Sequence, residues 1–160
     1  APYMSPDVAG DNPSYSRASD MYSFGVIVNE LMSRHRPFSS KKSIASILKA
    51  VSSGEVPELF AIVSGSEWEN FMFEIQIMIE DLWKDVCHRP SAASALVVLS
   101  SIQSAVCRRI SIREKFVSES NLGSNVNNNF TINNNNNTRL GLILNDLPYI
   151  FYFNAFELAI

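Results

Sequence analysis

Several residue types are too scarce in this chain to support whole classes of function. Among 160 residues there are two cysteines and two histidines, with no Cys-x-x-Cys pair, so neither a disulfide framework nor a zinc site is indicated. Thirteen basic and sixteen acidic side chains give a net charge of −3, which offers no basic surface to nucleic acid. We therefore expect Cys87 and Cys107 to be free thiols in a reducing compartment, the cytoplasm.

Targeting and membrane signals are also missing from the sequence. The first residues have neither a basic start nor an apolar run, so no signal peptide is expected. Residues 140–160 are apolar, but polar residues and Pro148 break them well short of the roughly 18–20 apolar residues that a spanning helix needs. The sequence therefore predicts no membrane partner.

Composition divides the chain into three parts. Residues 1–116 have a mixed and periodic sequence that predicts one structured unit. Residues 117–138 are rich in Asn, which fills ten of the seventeen positions from 121 to 137, and this composition is typical of a disordered linker. Residues 139–160 form an apolar tail, interpreted either as a small appended element or as spurious coding sequence.

The periodicity of the first part predicts helices and no strands. Ser19 or Asp20 is the expected N-cap of a first helix that ends near Ser33 and is apolar almost all round, which indicates burial on most sides. A second helix is predicted at about 43–53, and its apolar stripe consists of Ile44, Ile47, Leu48 and Val51.

Two longer helices are predicted after these. One covers about 67–84, and its apolar stripe consists of Trp68, Phe71, Ile75, Met78, Ile79, Leu82 and Trp83. The other begins after Pro90 with Ser91 as its cap, and its apolar face consists of Ala95, Leu96, Leu99, Ile102 and Val106. The predicted fold class is mainly α.

Three short motifs follow one another in an order that carries a family resemblance. Residues 3–7 read Tyr-Met-Ser-Pro-Asp, residues 19–28 read Ser-Asp-Met-Tyr-Ser-Phe-Gly-Val-Ile-Val, and Trp83 precedes Arg89-Pro90-Ser91. They resemble the end of the activation loop, the central helix and the turn before the last helix in the C-terminal lobe of a eukaryotic protein kinase. The sequence Tyr-Ser-Phe-Gly at residues 22–25 resembles the corresponding segment in the tyrosine-kinase-like group of Ser/Thr kinases. The resemblance extends from residue 1 to about 107 and implies a partial C-lobe that lacks everything before the end of the activation loop.

The resemblance implies structural roles for particular residues. Asp7 stands where the family has the Glu of Ala-Pro-Glu, and that Glu forms a buried ion pair with an Arg whose counterpart is Arg89. Asp20 matches the Asp that accepts hydrogen bonds from the catalytic loop. Tyr22, Gly25 and Trp83 are the other family positions, and Tyr3, Met4 and Ser5 resemble the loop that receives the substrate residue after the phosphoacceptor.

The residues that phosphoryl transfer requires are missing from the sequence. It has no Gly-x-Gly-x-x-Gly, no His-Arg-Asp and no Asp-Phe-Gly, so no catalytic, cofactor-binding or metal-binding residue is predicted. A complete parent kinase would use ATP and Mg²⁺ to phosphorylate Ser or Thr of protein substrates, whereas this chain alone is expected to be inactive.

Three interpretations follow from these observations. The first is a kinase fragment that is expected to self-associate, because the apolar positions Phe24, Val26, Ile27 and Val28 would lose their normal cover. The second is a non-catalytic, kinase-derived helical module that binds proteins. The third is an unrelated helical bundle.

Overall fold

The computed structural model describes residues 1–122, and the side chains as far as residue 116. Its helices are α1 (Pro6–Ala9), α2 (Arg17–Ser33), α3 (Ile44–Ser52), α4 (Glu69–Leu82) and α5 (Ala92–Leu122). Within residues 1–122 there is no strand, which confirms the mainly α fold class. Four of these helices were predicted, whereas the single turn α1 was not. The apolar tail at 139–160 and most of the Asn-rich segment lie outside the described residues.

Helix α2 begins three or four residues earlier than the sequence predicted, since the expected cap was Ser19 or Asp20. Its N-cap is Ser16, in an extended conformation, so Ser19 and Asp20 lie inside the first turn. The Ser16 amide donates a hydrogen bond to Ser19 Oγ at 3.2 Å, which is one half of a capping box. Ser16 and Ser19 are both suitable N-caps by residue type. Ser16 is the cap because its backbone is extended, whereas Ser19 is already helical.

The middle of α2 is buried, as its all-round apolar sequence predicts. Tyr22 and Val26 are fully buried and Val28 is 2% exposed. Of the four positions expected to lose their cover, Phe24 is half-buried and only Ile27 is exposed. The expectation of a large exposed face on α2 is therefore wrong for Val26 and Val28, which are buried in the folded chain.

The main core lies where α2, α4 and α5 meet. It joins Met21 and Val28 of α2 to the predicted stripes of α4 and α5, whose buried members are Trp68, Ile75, Met78, Ile79, Leu82, Ala95, Ile102 and Val106. Met72 of α4, which the predicted stripe does not include, is buried with them. Burying side chains of this size stabilises the fold by roughly 1.5–3 kcal/mol each. Leu96, placed on the apolar face of α5 by its spacing, is instead 64% exposed.

Helix α3 belongs to a smaller cluster. Val51 and Ala50 are buried there with Phe38, and Ile47 and Ala9 pack against them. The stripe predicted for α3 is therefore only half buried, since Ile44 is 69% exposed and Leu48 is 37% exposed.

Helix α5 is much longer than its contacts with α4 require. Its Ser91 cap forms as predicted, with the Ser94 amide donating to Ser91 Oγ at 3.2 Å. By length and composition alone, the stretch Ala92–Phe116 is apolar enough to cross a membrane, although three of its side chains, Ala95, Ile102 and Val106, are buried in the core. The helix continues to Leu122, past the boundary drawn at residue 116.

Candidate functional site

A buried ion pair joins the start of the chain to the turn before α5. Arg89 Nη2 lies 2.7 Å from Asp7 Oδ1, and the two side chains are 3% and 15% exposed. Asp7 is held in place by α1, where its carboxylate belongs to the first turn. Eighty-two residues separate the two partners in sequence, so the pair fixes α1 against the α4–α5 turn.

Each of the three guanidinium nitrogens of Arg89 donates a hydrogen bond at this position. Besides Asp7, it donates to the carbonyl of Ala18 at 3.1 Å and to the carbonyl of Lys84 at 2.8 Å. It also lies over the ring of Tyr22, 5.1 Å from the centroid. Arg89 therefore links three backbone segments, because its donors point in several fixed directions.

The carboxylate of Asp7 divides its two oxygens between two partners. Oδ1 accepts from Arg89, and Oδ2 accepts from Ser19 Oγ at 2.5 Å. Burial alone would raise the pKa of Asp7, but the hydrogen bonds from Arg89 and Ser19 together outweigh it and lower that pKa. Asp7 is one methylene shorter than the Glu of the family and accepts one hydrogen bond from Arg89. The Ser19 hydroxyl of α2 donates to its other oxygen, which a bidentate arginine would otherwise bind.

Tyr22, Gly25 and Trp83 complete the same cluster. The rings of Tyr22 and Trp83 lie 6.3 Å apart, centroid to centroid. A Cβ on Gly25 would lie 3.0 Å from Trp83 Nε1 and 3.1 Å from Leu82 Cβ, so a side chain there would push α2 and the end of α4 apart by a few tenths of an ångström. Five of the six predicted structural residues therefore meet in one place.

The sixth, Asp20, lies apart from the cluster. It is exposed in the first turn of α2. Within the described part of the chain it makes neither a hydrogen bond nor an ion pair, and an acidic residue there still suits the helix dipole. Its expected partner, a catalytic loop, is not part of this sequence.

The loop at residues 3–5 is tied to the outer side of α2. Tyr3 donates from its hydroxyl to Glu30 at 2.7 Å, and its carbonyl accepts from Ser23 Oγ at 2.7 Å. The hydrogen bond to Glu30 also raises the pKa of Tyr3. Met4 is half-buried, and Ser5 is 1% exposed at the start of α1. The loop therefore has a fixed position on α2.

Sequence reasoning missed a buried amide that organises the segment before α4. Asn29, 3% exposed, donates to the carbonyl of Glu58 and accepts from the amide of Phe60, both at 2.9 Å. Gln76 of α4 binds the carbonyl of Phe60 at 2.9 Å. The available signal was an Asn in the middle of an otherwise apolar helix, because a buried polar group needs partners.

Burial of Tyr22 should make the stability of the fold depend on pH in the alkaline range. This burial raises the pKa of Tyr22 from its usual 10.0 to about 12, even though Arg89 acts in the opposite direction. The neutral phenol is favoured in the folded state, so the free energy of unfolding should fall as the pH rises from 10 towards 12. A phenolate absorbance titration should show this late step, and a Tyr22→Phe variant should lack it.

The same variant tests whether the Tyr22 hydroxyl contributes to stability. This buried hydroxyl has no hydrogen-bond partner among the described residues. Tyr22→Phe should therefore leave the free energy of unfolding unchanged or slightly higher, because nothing is left unpaired. A loss above about 1 kcal/mol in urea unfolding would indicate a hydrogen bond that the structure does not contain.

No metal centre is formed in the part of the chain that the structure covers. Residues 1–122 contain no group of three or more His, Cys, Asp or Glu side chains that could hold an ion. The charges of Asp7 and Arg89 are paired with each other, so the cluster around Arg89 positions chain segments.

Comparison with known proteins agrees with the motif order and the geometry. The profile of the protein kinase domain family matches residues 1–98. A relative described as a probable serine/threonine-protein kinase WNK8, from Oryza sativa subsp. japonica, is 27% identical over 95 residues. That alignment covers 59% of this chain and 14% of the rice protein, so the chain spans a small part of its relative. This chain belongs to the protein kinase family and carries a partial kinase domain.

Proposed function

We propose that this chain is the C-terminal part of a Ser/Thr protein kinase and is inactive alone. The observation that carries the proposal is the Asp7–Arg89 pair. It connects the end of an activation segment to the turn before the last helix, within the residues that match the family. Segments upstream of Ala1 would supply the ATP site.

The chemistry of phosphoryl transfer supports the inactive state of this chain. The reaction needs a Gly-rich loop, a lysine for the phosphates, a base and metal-binding carboxylates, all held in one place. None of the corresponding motifs occurs in the 160 residues. ATP and Mg²⁺ are therefore cofactors of the complete parent, and its partners are protein substrates and regulators in the cytoplasm.

The finer assignment is to the tyrosine-kinase-like group, and it depends on α2. The residues Tyr22-Ser23-Phe24-Gly25 are what support it, and the Ser/Thr specificity agrees with the printed name of the rice relative. In the parent, residues 3–5 would receive the substrate residue that follows the phosphoacceptor. The contacts of Tyr3 with Ser23 and Glu30 would hold that loop for the purpose.

Two measurements on the native gene product test the proposal. We expect the 5′ end of the transcript to extend upstream, and an immunoblot to reveal a longer protein with a Gly-rich loop, a strand lysine and His-Arg-Asp. The longer product should transfer phosphate from Mg-ATP to a protein substrate, and the 160-residue chain should not. A native product of this length that is inactive would contradict the proposal and favour a helical protein-binding module. Phosphate transfer by this chain would also contradict it.

A further inference from the structure

We propose that two copies of this chain pair through α5, side by side and antiparallel, about a twofold axis at Ala105. The proposal concerns a surface that the kinase relationship does not explain. The family match ends at residue 98, whereas α5 continues to Leu122. Much of the pairing surface therefore lies beyond the residues that match the family.

Beside the face that packs on the core, α5 carries a stripe of small and apolar residues, of which Val98 still touches the core. At 100° per residue, its members fall within a sector of roughly 60°. They are Ser94, Val98, Ser101, Ala105, Ile112 and Phe116. Two of these are large apolar side chains in the open: Ile112 is 58% exposed and Phe116 is 69% exposed. A stripe of this kind on a helix normally packs against a partner.

The N-terminal half of the stripe borders a groove that suits those two side chains. The groove lies between α4 and α5 and has a volume of about 360 Å³. Its apolar lining consists of Ile77, Met78, Pro90, Ala95 and Val98, with Ser94 beside them. Glu74 and Asp81 stand in the same lining and make it acidic.

The members of the stripe lie at equal distances on either side of Ala105. Ser94 and Phe116 each lie eleven residues from Ala105, and Val98 and Ile112 each lie seven residues from it. In an antiparallel pair centred on Ala105, Phe116 and Ile112 of each copy therefore meet the groove of the other. The small residues Ala105 and Ser101 let the helices approach closely at the centre. Such an interface is isologous and closed.

The positions of Arg109 on α5 and Glu74 on α4 are consistent with an antiparallel pair. Arg109 lies on the α4 side of α5, with its guanidinium 5.9 Å from the centroid of the Phe71 ring of α4. Glu74 of α4 has no ion-pair partner within the described residues. The twofold axis places both copies of α4 on one side of the pair, so Glu74 of one copy comes near Arg109 of the other. Complementary charges of this kind select orientation.

Sedimentation equilibrium of the 160-residue chain tests the surface with two matched variants. Ile112→Glu should weaken self-association at least ~10-fold, because it places a carboxylate against the groove of the other copy, whose lining includes Glu74 and Asp81. Ile44→Glu is the control, because Ile44 is 69% exposed on α3 and lies outside the stripe. A monomeric wild type, or equal weakening by both variants, would overturn the proposal. A chain that binds anionic vesicles while remaining monomeric would overturn it as well.

Cross-linking tests the position of the axis. In a Cys87→Ser, Cys107→Ser background, Ala105→Cys should give a covalent dimer with a short bis-maleimide, because the two thiols face each other. The matched control keeps only Cys107, which is exposed and lies about 160° around the helix from Ala105. We expect that control to remain monomeric. Equal cross-linking of both proteins, or of neither, would exclude an axis at Ala105.

Discussion

Replacing Arg89 by methionine should destabilise the folded chain by about 3–5 kcal/mol, the usual cost of removing one partner of a buried ion pair. Asp7 would remain as a buried carboxylate with only the Ser19 hydroxyl as a side-chain donor. The carbonyls of Ala18 and Lys84 would lose their donor in the same step. Urea unfolding followed by circular dichroism measures this loss directly.

Arg113 is a control for Arg89, because its ion pair has the same charges but is exposed to solvent. Arg113 forms an ion pair with Glu67 at 2.6 Å, but these side chains are 45% and 38% exposed. Arg113→Met should therefore cost less than about 1 kcal/mol, as solvated pairs do. Similar losses for Arg89→Met and Arg113→Met would show that the Asp7 pair is not the anchor described above.

The pH dependence provides a second test of the same pair. Because the pKa of Asp7 is lowered in the folded state, its contribution to stability should be complete above the unfolded value of 3.8. The contribution should disappear as the pH falls through the lower, folded-state pKa. If Arg89→Met proves too unstable to purify, Asp7→Asn can be compared with wild type across this range, because it lacks the titrating group. An acid stability profile that Asp7→Asn does not change would contradict the assignment.

The sequence predicted the helices better than it predicted their ends. Apolar spacing located α2, α3, α4 and α5 because each buries a face, and burial leaves a period in the sequence. The start of α2 was misplaced because Ser16, Ser19 and Asp20 are all good caps by residue type, and only the backbone conformation distinguishes them. Leu96 shows the limit of spacing, since it continues the pattern but lies outside the core.

The candidate site depended on motif order more than on periodicity. The family resemblance that the three motifs carry implied Asp7 and Arg89 as partners, although no local pattern connects residues 82 positions apart. The division of the Asp7 oxygens between Arg89 and Ser19 was not predictable, because Ser19 fits a helix cap by residue type. In the structure its hydroxyl binds Asp7. Asp20 remains untested in its expected role, since that role requires a loop from outside this sequence.

Asn29 is the residue whose importance only the structure revealed, and its replacement is the second large effect that we expect. Its side chain holds the extended segment through Glu58 and Phe60, and the Phe60 residue is itself 3% exposed. Asn29→Ala would remove both hydrogen bonds and leave the buried Phe60 amide without a partner. The free energy of unfolding should fall by about 2–3 kcal/mol, because a buried unpaired donor carries its full desolvation cost.

Hydrogen exchange distinguishes this local effect from a general loss of stability. In Asn29→Ala the Phe60 amide should exchange faster than the amides in the middle of α4, because the segment can detach while the core of α2 and α4 persists. Asn70→Ala is the control, since Asn70 is exposed on α4 and alanine favours a helix there. If the Phe60 amide stays as protected as in wild type, Asn29 does not hold the segment. In that case Gln76, which binds the Phe60 carbonyl, must hold it alone.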